Sequence, residues 1–245
     1  MPETITPYQS ETGKKEQVAE MFDNIAHRYD FLNQLFSLGI HKGWRKKAVK
    51  LLIPVQPKAM LDVATGTGDF AIEANKRLNP EKITGVDISE GMMKFGREKL
   101  KELRLDQKIE LLLGDSENLP FPDNSFDAIT VGFGVRNFEN LEKGLAGMYR
   151  VLRPGGTLVV LEFSRPRKFP VRQIYNFYFR KIMPFVGRMF SKDSRAYSYL
   201  PESVNAFPDG DDFLSLMGKT GFCESSWQPL TFGIASIYTG KKRTL

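Results

Sequence analysis

The sequence has one cysteine, two histidines and no long apolar run. The single Cys223 excludes an intrachain disulfide and offers at most one thiolate, so we predict no metal site. The first ten residues carry Pro2, Glu3 and Pro7, where a signal peptide would need a basic start and an apolar run. Nowhere do about 18 uninterrupted apolar residues occur, which a membrane-spanning helix would need. These absences predict a protein of the reducing cytoplasm that is neither secreted nor membrane-spanning.

The composition is that of a folded globular chain. It has 245 residues, of which 41% are hydrophobic and 26% are charged. This length corresponds to one large domain, or to one domain with an insertion, and it can bury a sizeable core. A disordered, fibrous or polytopic membrane chain is excluded by these proportions.

The net charge of +6 is unevenly distributed. A basic balance is typical of proteins that bind nucleic acid, anionic membranes or acidic ligands. Residues 165–200 contain only one acid, Asp193, and carry a local charge of +8, which leaves the rest of the chain at −2. The basic residues of this segment are Arg165, Arg167, Lys168, Arg172, Arg180, Lys181, Arg188, Lys192 and Arg195. The excess positive charge therefore belongs to one segment.

Short aliphatic runs alternate with longer amphipathic stretches between Lys58 and Phe163, which indicates an α/β fold with parallel strands. The predicted strands are residues 59–63, 82–86, 109–113, 128–131 and 157–163. The predicted helices between them are residues 69–78, 91–105 and 141–152. Two or three helices are expected over residues 14–52 with a break at residues 37–39, and a further helix over 211–220. Residues 225–229 and 231–240 predict a terminal antiparallel strand pair.

The basic segment follows the fifth strand and is interpreted as an insertion on the sheet scaffold. Six apolar side chains recur in it at helical spacing: Val171, Ile174, Tyr175, Tyr178, Ile182 and Phe185. Most of the basic residues fall on other faces, so the insertion is amphipathic, aromatic and basic. Such a stretch suits contact with an anionic membrane. A homodimer interface or a lid with a solvated charged face remains an equal alternative.

A glycine-rich turn, Ala64-Thr65-Gly66-Thr67-Gly68-Asp69, joins the first strand to the following helix. Glycines allow a tight turn and close approach to a ligand, and the helix start offers unpaired N–H groups. The second strand is followed by Asp87, about 20 residues on, where a carboxylate can accept both hydroxyls of a ribose. The spacing predicts a cofactor of the adenosine type.

Charge favours S-adenosylmethionine over a nicotinamide or flavin dinucleotide. Asp62 and Asp69 flank the turn, and a pyrophosphate there would face two carboxylates. S-adenosylmethionine carries a sulfonium and an ammonium group and no phosphate. A plain tight turn, with Asp69 as a helix N-terminal charge, is the alternative. The loop Gly114-Asp115-Ser116-Glu117 after the third strand adds a carboxylate and backbone N–H groups for an adenine, although it also fits a polar turn.

Arg136 and Asn137 follow the fourth strand, at the carboxyl edge of the sheet where α/β proteins bind ligands. There Arg136 could stabilise an oxyanion and Asn137 could orient a hydroxyl or a water. A structural salt bridge of Arg136 is the alternative.

These motifs resemble those of class I S-adenosylmethionine-dependent methyltransferases. The motifs are residues 62–70, Asp87, Gly114-Asp115 and residues 152–156. Two longer stretches, residues 29–44 and 150–164, are similar to signatures of the quinone-biosynthesis C-methyltransferases. The resemblance covers about residues 15–241. It implies a Rossmann-like seven-stranded methyltransferase sheet with N-terminal helices and the basic aromatic helical insertion after the fifth strand.

The resemblance also implies site residues. By position, the family's cofactor contacts fall on Thr67, Asp87, Asp115 and Ser116. Where many members have a serine after the fourth strand, this chain has Gly132, which offers only backbone. In some relatives an arginine at the position of Arg136 is proposed to act through a water as the base. Because the pKa of arginine lies above about 12, stabilisation of an oxyanion is favoured here.

The function implied is methyl transfer from S-adenosylmethionine to a ring carbon of a polyprenylated quinol. Demethylmenaquinol is the expected acceptor, as the default for a bacterial member; a 2-polyprenyl-6-methoxy-1,4-benzoquinol of ubiquinone synthesis is the alternative. RNA methylation is a more distant alternative prompted by the basic charge, and a dinucleotide oxidoreductase is another. No RNA-binding module is visible, so no nucleic-acid partner is predicted.

The predicted organisation has four parts. Residues 1–57 are a helical cap, 58–164 the cofactor-binding α/β core, 165–205 the insertion facing substrate and membrane, and 206–245 the rest of the core with the terminal strand pair. Because the substrate's isoprenoid tail lies in the bilayer, we expect a cytoplasmic protein that is peripheral to the inner face of the membrane.

Overall fold

A seven-stranded sheet forms the centre of the molecule in a computed structural model, which describes residues 5–8, 10–178, 182 and 195–244. The strands are β1 (Ala59–Val63), β2 (Lys82–Asp87), β3 (Ile109–Leu113), β4 (Phe126–Gly132), β5 (Leu152–Phe163), β6 (Cys223–Leu230) and β7 (Ala235–Lys241). Their order is β3-β2-β1-β4-β5-β7-β6. The first five are parallel, and β7 runs antiparallel to both β5 and β6. The predicted fold class is therefore confirmed.

Around this sheet the structure describes nine α-helices. They are α1 (Lys14–Ile25), α2 (Tyr29–Ser37), α3 (Ile40–Lys50), α4 (Asp69–Leu78), α5 (Glu90–Glu102), α6 (Leu141–Val151), α7 (Val171–Phe177), α8 (Arg195–Ala206) and α9 (Asp211–Lys219). One buried cluster joins the sheet to α3, α4 and α5, and a second joins the opposite face to α6 and α9. The strands β1 and β2 are almost completely buried, as expected for central parallel strands with helices on both faces.

Local sequence signals account for the main boundaries. The side chain of Ser89 accepts a hydrogen bond from the backbone N–H of Met92 and begins α5, and Asn140 caps α6 in the same way. The break predicted at residues 37–39 is present, because Leu38 and Gly39 adopt left-handed conformations between α2 and α3. The strands β2, β4, β5 and β6 are longer than predicted, β7 starts four residues later than predicted and ends one later, and α5 begins and ends earlier.

Only part of the basic insertion lies within the described residues. The helix α7 starts where the apolar periodicity predicts, and Tyr175 is buried. Ile174, assigned to the same apolar face, is 64% exposed. The predicted positions Arg180, Lys181, Phe185, Arg188 and Lys192 lie outside the described residues.

Within the described ranges, no helix is both long and apolar enough to span a bilayer.

Candidate active site

The glycine turn between β1 and α4 lies at the carboxyl edge of the sheet. Gly66 and Gly68 both have positive φ, which glycine adopts without the steric cost that a side chain adds. The side chain of Asp87, at the end of β2, accepts hydrogen bonds from the backbone N–H groups of Gly66 (2.7 Å) and Ser89 (2.9 Å). The turn and the second strand are thereby held together at the predicted cofactor position.

Two cavities meet at this edge. The larger has a volume of about 530 Å³ and the smaller about 60 Å³. Both are lined by Phe22 and Tyr29 from the N-terminal helices, by Gly66, and by Gly132 and Phe133 after β4. The shared lining makes them adjoining compartments of one site.

The smaller cavity contains four of the six residues predicted from the sequence. Asp87, Asp115, Ser116 and Asn137 line it. Ser116 and Asn137 are buried, and the side-chain oxygen of Asn137 has no hydrogen-bond partner among the described residues. Thr67 and Arg136 instead line the larger cavity. The six residues thus surround one continuous site, divided between its two compartments.

The smaller cavity is acidic. Asp87, Asp115, Glu117 and Glu139 line it, against one basic residue, Lys15. Burial raises the pKa of Asp87, and hydrogen bonds from backbone N–H groups oppose that rise. A cofactor with phosphates would be repelled by these carboxylates, whereas a sulfonium and an ammonium group would be attracted. The unpaired acceptor of Asn137 also suits a ligand that donates hydrogen bonds. These residues fit S-adenosylmethionine.

The sequence argument that charge disfavours a pyrophosphate relied on Asp62 and Asp69, and the structure assigns this charge to other residues. Asp62 lies within β1, and its buried carboxylate accepts hydrogen bonds from the hydroxyls of Thr65 (2.7 Å) and Thr130 (2.6 Å). Asp69 forms ion pairs with Arg45 (2.5 Å) and Lys99 (2.9 Å), so its charge is compensated. The negative charge that disfavours phosphate comes from the acids of the smaller cavity.

The larger cavity is mainly apolar. Its wall includes Met21, Ile25, Leu32, Phe36, Trp44 and Phe163. Trp44, Phe133 and Phe163 pack together with ring centroids 4.5–6.3 Å apart, and the indole N–H of Trp44 donates to the hydroxyl of Thr231 (2.8 Å). Such a wall suits a ligand with a large apolar body.

Arg136 is the buried cation of the larger cavity. Its guanidinium is 2.9 Å from the carboxylate of Glu162, which is fully buried on β5, and it also donates to the carbonyl of Phe133. Its Nε has no hydrogen-bond partner among the residues that the structure describes. Arg136 therefore makes the structural ion pair considered as its alternative role, and it also lines the cavity with one donor unused.

His41 also lines the larger cavity. Its Nδ1 lies 2.5 Å from the hydroxyl of Ser37, and burial, with the nearby charge of Arg45, lowers its pKa to about 4. The ring is neutral near pH 7, and its contact with Ser37 joins α3 to the end of α2.

Three residues at the site were not predicted from the sequence. Tyr199 of α8 lines the larger cavity, and Lys15 of α1 lines the smaller one, 100 residues from its partner Asp115. Glu162 of β5 reaches the site through its ion pair with Arg136. An acid inside an apolar run such as that of β5 is uncommon. This is the one signal that could have identified Glu162.

The chain is similar to known methyltransferases along most of its length. The model of the ubiE/COQ5 methyltransferase family matches residues 10–242. A demethylmenaquinone methyltransferase of Bacteroides fragilis is 51% identical over 240 residues, which cover 98% of each chain. One from Porphyromonas gingivalis is 48% identical and covers 98% of this chain and 99% of its own. The ubiquinone/menaquinone biosynthesis C-methyltransferase UbiE of Geobacter sulfurreducens is 46% identical, with coverages of 97% and 93%.

Solved structures share the fold at lower identity. A SAM-dependent methyltransferase from Thermotoga maritima superposes with a TM-score of 0.66 and 22% identity, covering 92% of this chain and 99% of its own. The [4+2]-cyclase SpnF superposes with a TM-score of 0.64 and 18% identity, with coverages of 96% and 98%. Because a cyclase shares the architecture, the fold alone does not determine the reaction.

Proposed function

Because the chain belongs to the ubiE/COQ5 methyltransferase family, we propose that it methylates a ring carbon of demethylmenaquinol and forms menaquinol. It is a C-methyltransferase that depends on S-adenosylmethionine. The observation that carries the choice of acceptor is the large apolar cavity, which contains the buried Arg136 and adjoins the acidic compartment at Gly66; its other arginine, Arg45, is paired with Asp69. A quinol matches this cavity. Its ring and tail are apolar like the wall, and its two hydroxyls are polar groups that the cation can contact.

We assign the acidic compartment to the cofactor. Asp87, Asp115, Ser116 and Asn137 would hold it there, with Thr67 at the boundary of the larger cavity. When bound, S-adenosylmethionine supplies a methyl group on a positively charged sulfur, and the bond electrons remain with sulfur as the methyl group leaves. The acids of this compartment would stabilise that positive charge close to the place where the two cavities meet.

Arg136 would activate the acceptor. A ring carbon becomes nucleophilic when the neighbouring hydroxyl loses its proton, because the oxygen then donates electron density to the ring. The ring carbon exchanges one hydrogen for a methyl group, so one proton is released overall. The positively charged guanidinium lies in a buried setting, where its attraction for an oxyanion is strengthened. Its role is to stabilise the oxyanion, and Glu162 fixes its orientation.

Peripheral membrane binding follows from the substrate's tail. Four apolar side chains on the rim of the larger cavity are exposed: Leu38 (81%), Ile40 (45%), Ile174 (64%) and Phe232 (80%). The exposed basic residues Lys42, Lys168 and Arg172 are close to them in sequence. This combination favours an anionic bilayer surface, the inner face of the membrane, as the partner of the rim.

The test is methyl transfer by the purified protein from S-adenosylmethionine with a deuterated methyl group. Demethylmenaquinol and a 6-methoxy-1,4-benzoquinol are supplied in anionic vesicles, and total RNA is supplied in parallel. We expect a deuterated methyl group on the ring of menaquinol, found by mass spectrometry of the extracted quinones. Preferential methylation of the benzoquinol would move the assignment to ubiquinone synthesis, and label found only in RNA would refute it.

A further inference from the structure

Tyr199 of α8 lies on the wall of the apolar cavity. Its side chain is 1% exposed, and it packs with Val18, Met21, Ile25 and Leu32 of the N-terminal helices. Its hydroxyl has no hydrogen-bond partner among the described residues. A buried hydroxyl without a hydrogen-bond partner lowers the stability of the folded protein. A ligand that pairs with it offsets that loss.

The same cavity contains a second unsatisfied donor. Arg136 Nε is buried and has no partner in the described part of the chain. The helix α8 packs against the 3-10 turn Val135–Asn137, which carries Arg136. The charges of Arg136 and Glu162 both act on the Tyr199 hydroxyl, in opposite directions. Two buried donors that have no partner among the described residues therefore belong to side chains on the wall of one mainly apolar cavity.

We propose that Tyr199 binds the quinol, with its phenolic O–H donating a hydrogen bond to the ring oxygen that Arg136 also contacts. The inference rests on the proposed function and deepens it, because it names a second residue that recognises the acceptor's oxygen. The class of ligand is an apolar molecule with a hydroxyl or phenolate oxygen on its ring. An isoprenoid tail alone would leave both donors unsatisfied.

The protonation state of Tyr199 supports this role. Burial raises its pKa to about 12, so the hydroxyl keeps its proton near neutral pH and acts as a donor. A neutral donor beside a cation stabilises negative charge on the substrate oxygen without adding a charge of its own. The interaction is stronger with the oxyanion than with the neutral hydroxyl, so it favours the transition state.

The test is the substitution Tyr199→Phe, with Tyr238→Phe as the matched control. Tyr238 is also fully buried, but its hydroxyl accepts the backbone N–H of Gly210 (2.9 Å) and it does not line the cavity. We expect Tyr199→Phe to lower kcat for demethylmenaquinol by about 100-fold, the size typical of losing one oxyanion donor. Its resistance to urea and its affinity for S-adenosylhomocysteine should equal or exceed the wild-type values. Tyr238→Phe should lower stability and keep kcat and KM.

Three results would overturn the inference. Wild-type kcat in Tyr199→Phe would show that the hydroxyl does not contact the reacting oxygen. A loss of activity that parallels a loss of stability, as in an ordinary core defect, would assign Tyr199 a structural role. If the wild-type protein itself does not methylate the quinol, the proposed function fails and this inference fails with it. The first two results leave the proposed function intact.

Discussion

The buried carboxylate of Asp62 organises the turn after β1 through its hydrogen bonds, but its burial lowers the free energy of unfolding near neutral pH. Its carboxylate holds the hydroxyls of Thr65 and Thr130 inside the sheet, and burial raises its pKa to about 6. The folded protein therefore binds a proton at Asp62 more tightly than the unfolded chain does. The contribution of this group to stability is lowest near neutral pH. It rises as the pH falls through 6 towards the pKa that Asp62 has in the unfolded chain.

The variant Asp62→Asn isolates this effect, because it removes the titration and keeps a hydrogen-bonding side chain of the same size. We expect the free energy of unfolding of the wild type, relative to the variant, to rise by about 3 kcal/mol as the pH falls from about 7.5 to about 4. Urea titrations of both proteins at several pH values measure it. A difference that does not change with pH would contradict the burial of a charged carboxylate.

The neighbouring ring of Phe70 explains why residue 132 is a glycine. A Cβ at residue 132 would lie 2.7 Å from Cδ2 of Phe70, closer than side chains approach in folded proteins. A side chain at this position would therefore require Phe70 to move. Glycine here preserves the packing of Phe70, and both residues line the larger cavity.

We expect Gly132→Ala to lower the free energy of unfolding by about 1–3 kcal/mol through overpacking. In a Phe70→Leu background the same substitution should cost less, since the interfering ring is gone. Gly218→Ala is the control, because a Cβ there meets nothing within 4 Å, and it should be neutral or slightly stabilising. Urea denaturation of the four variants checks this. An equal cost in both backgrounds would show that Phe70 is not the cause.

At the scale of elements, α1 and α2 close the site from the N-terminal side. Lys15 of α1 is 2.7 Å from Asp115, and Asp23 accepts from the Ser89 hydroxyl at 2.6 Å. Asp30 of α2 bonds the hydroxyl of Thr67 at 2.8 Å. Asp115 lines the smaller cavity, Thr67 lines the larger one, and Ser89 begins the helix that follows Asp87. The two helices therefore form a cover over the predicted cofactor position.

We expect Lys15→Met to raise the association and dissociation rate constants of S-adenosylhomocysteine together, by up to about fivefold. The ion pair is partly exposed and is worth at most about 1 kcal/mol, so the affinity should change little. Lys241→Met removes a comparable pair with Glu224 on the outer strands and serves as the control. Stopped-flow fluorescence measures both rates. Unchanged rates in Lys15→Met, or the same change in the control, would contradict a covering role for α1.

The elements that could be predicted from the sequence are those specified by local patterns. The strands β1 and β3 and the helix α4 have the predicted bounds, because continuous apolar runs and a glycine turn determine them. The partners of Asp69 and Asp115 come from distant parts of the chain, and no local pattern specifies such pairs. Tyr199 was missed for the same reason, since only tertiary packing brings α8 to the 3-10 turn after β4.

At the scale of the whole molecule, the apolar rim and the basic residues would orient the cavity towards a bilayer. Leu38 and Phe232 are the most exposed rim residues, and both have positive φ, a conformation that asparagine tolerates well. Replacing both by asparagine should therefore remove apolar surface with little cost to folding.

We expect Leu38→Asn/Phe232→Asn to bind anionic vesicles at least tenfold more weakly than the wild type, because each buried apolar side chain contributes about 1.5–3 kcal/mol. Leu103→Asn, which removes an exposed leucine after α5, is the control and should bind like the wild type. Flotation with vesicles that contain anionic lipid measures the difference. Equal flotation of the double variant and the wild type would refute membrane contact at this rim.

The central claim is that the acidic compartment holds the cofactor and the apolar cavity holds the quinol ring beside Arg136. A crystal structure of the full chain with S-adenosylhomocysteine and a short-tailed demethylmenaquinol tests it most directly. We expect the adenosine among Asp87, Asp115 and Asn137, and a ring oxygen within hydrogen-bond distance of Arg136, with the tail leaving past Leu38 and Phe232. A quinol ring bound outside the apolar cavity, or one whose oxygens lie away from Arg136, would contradict the assignment.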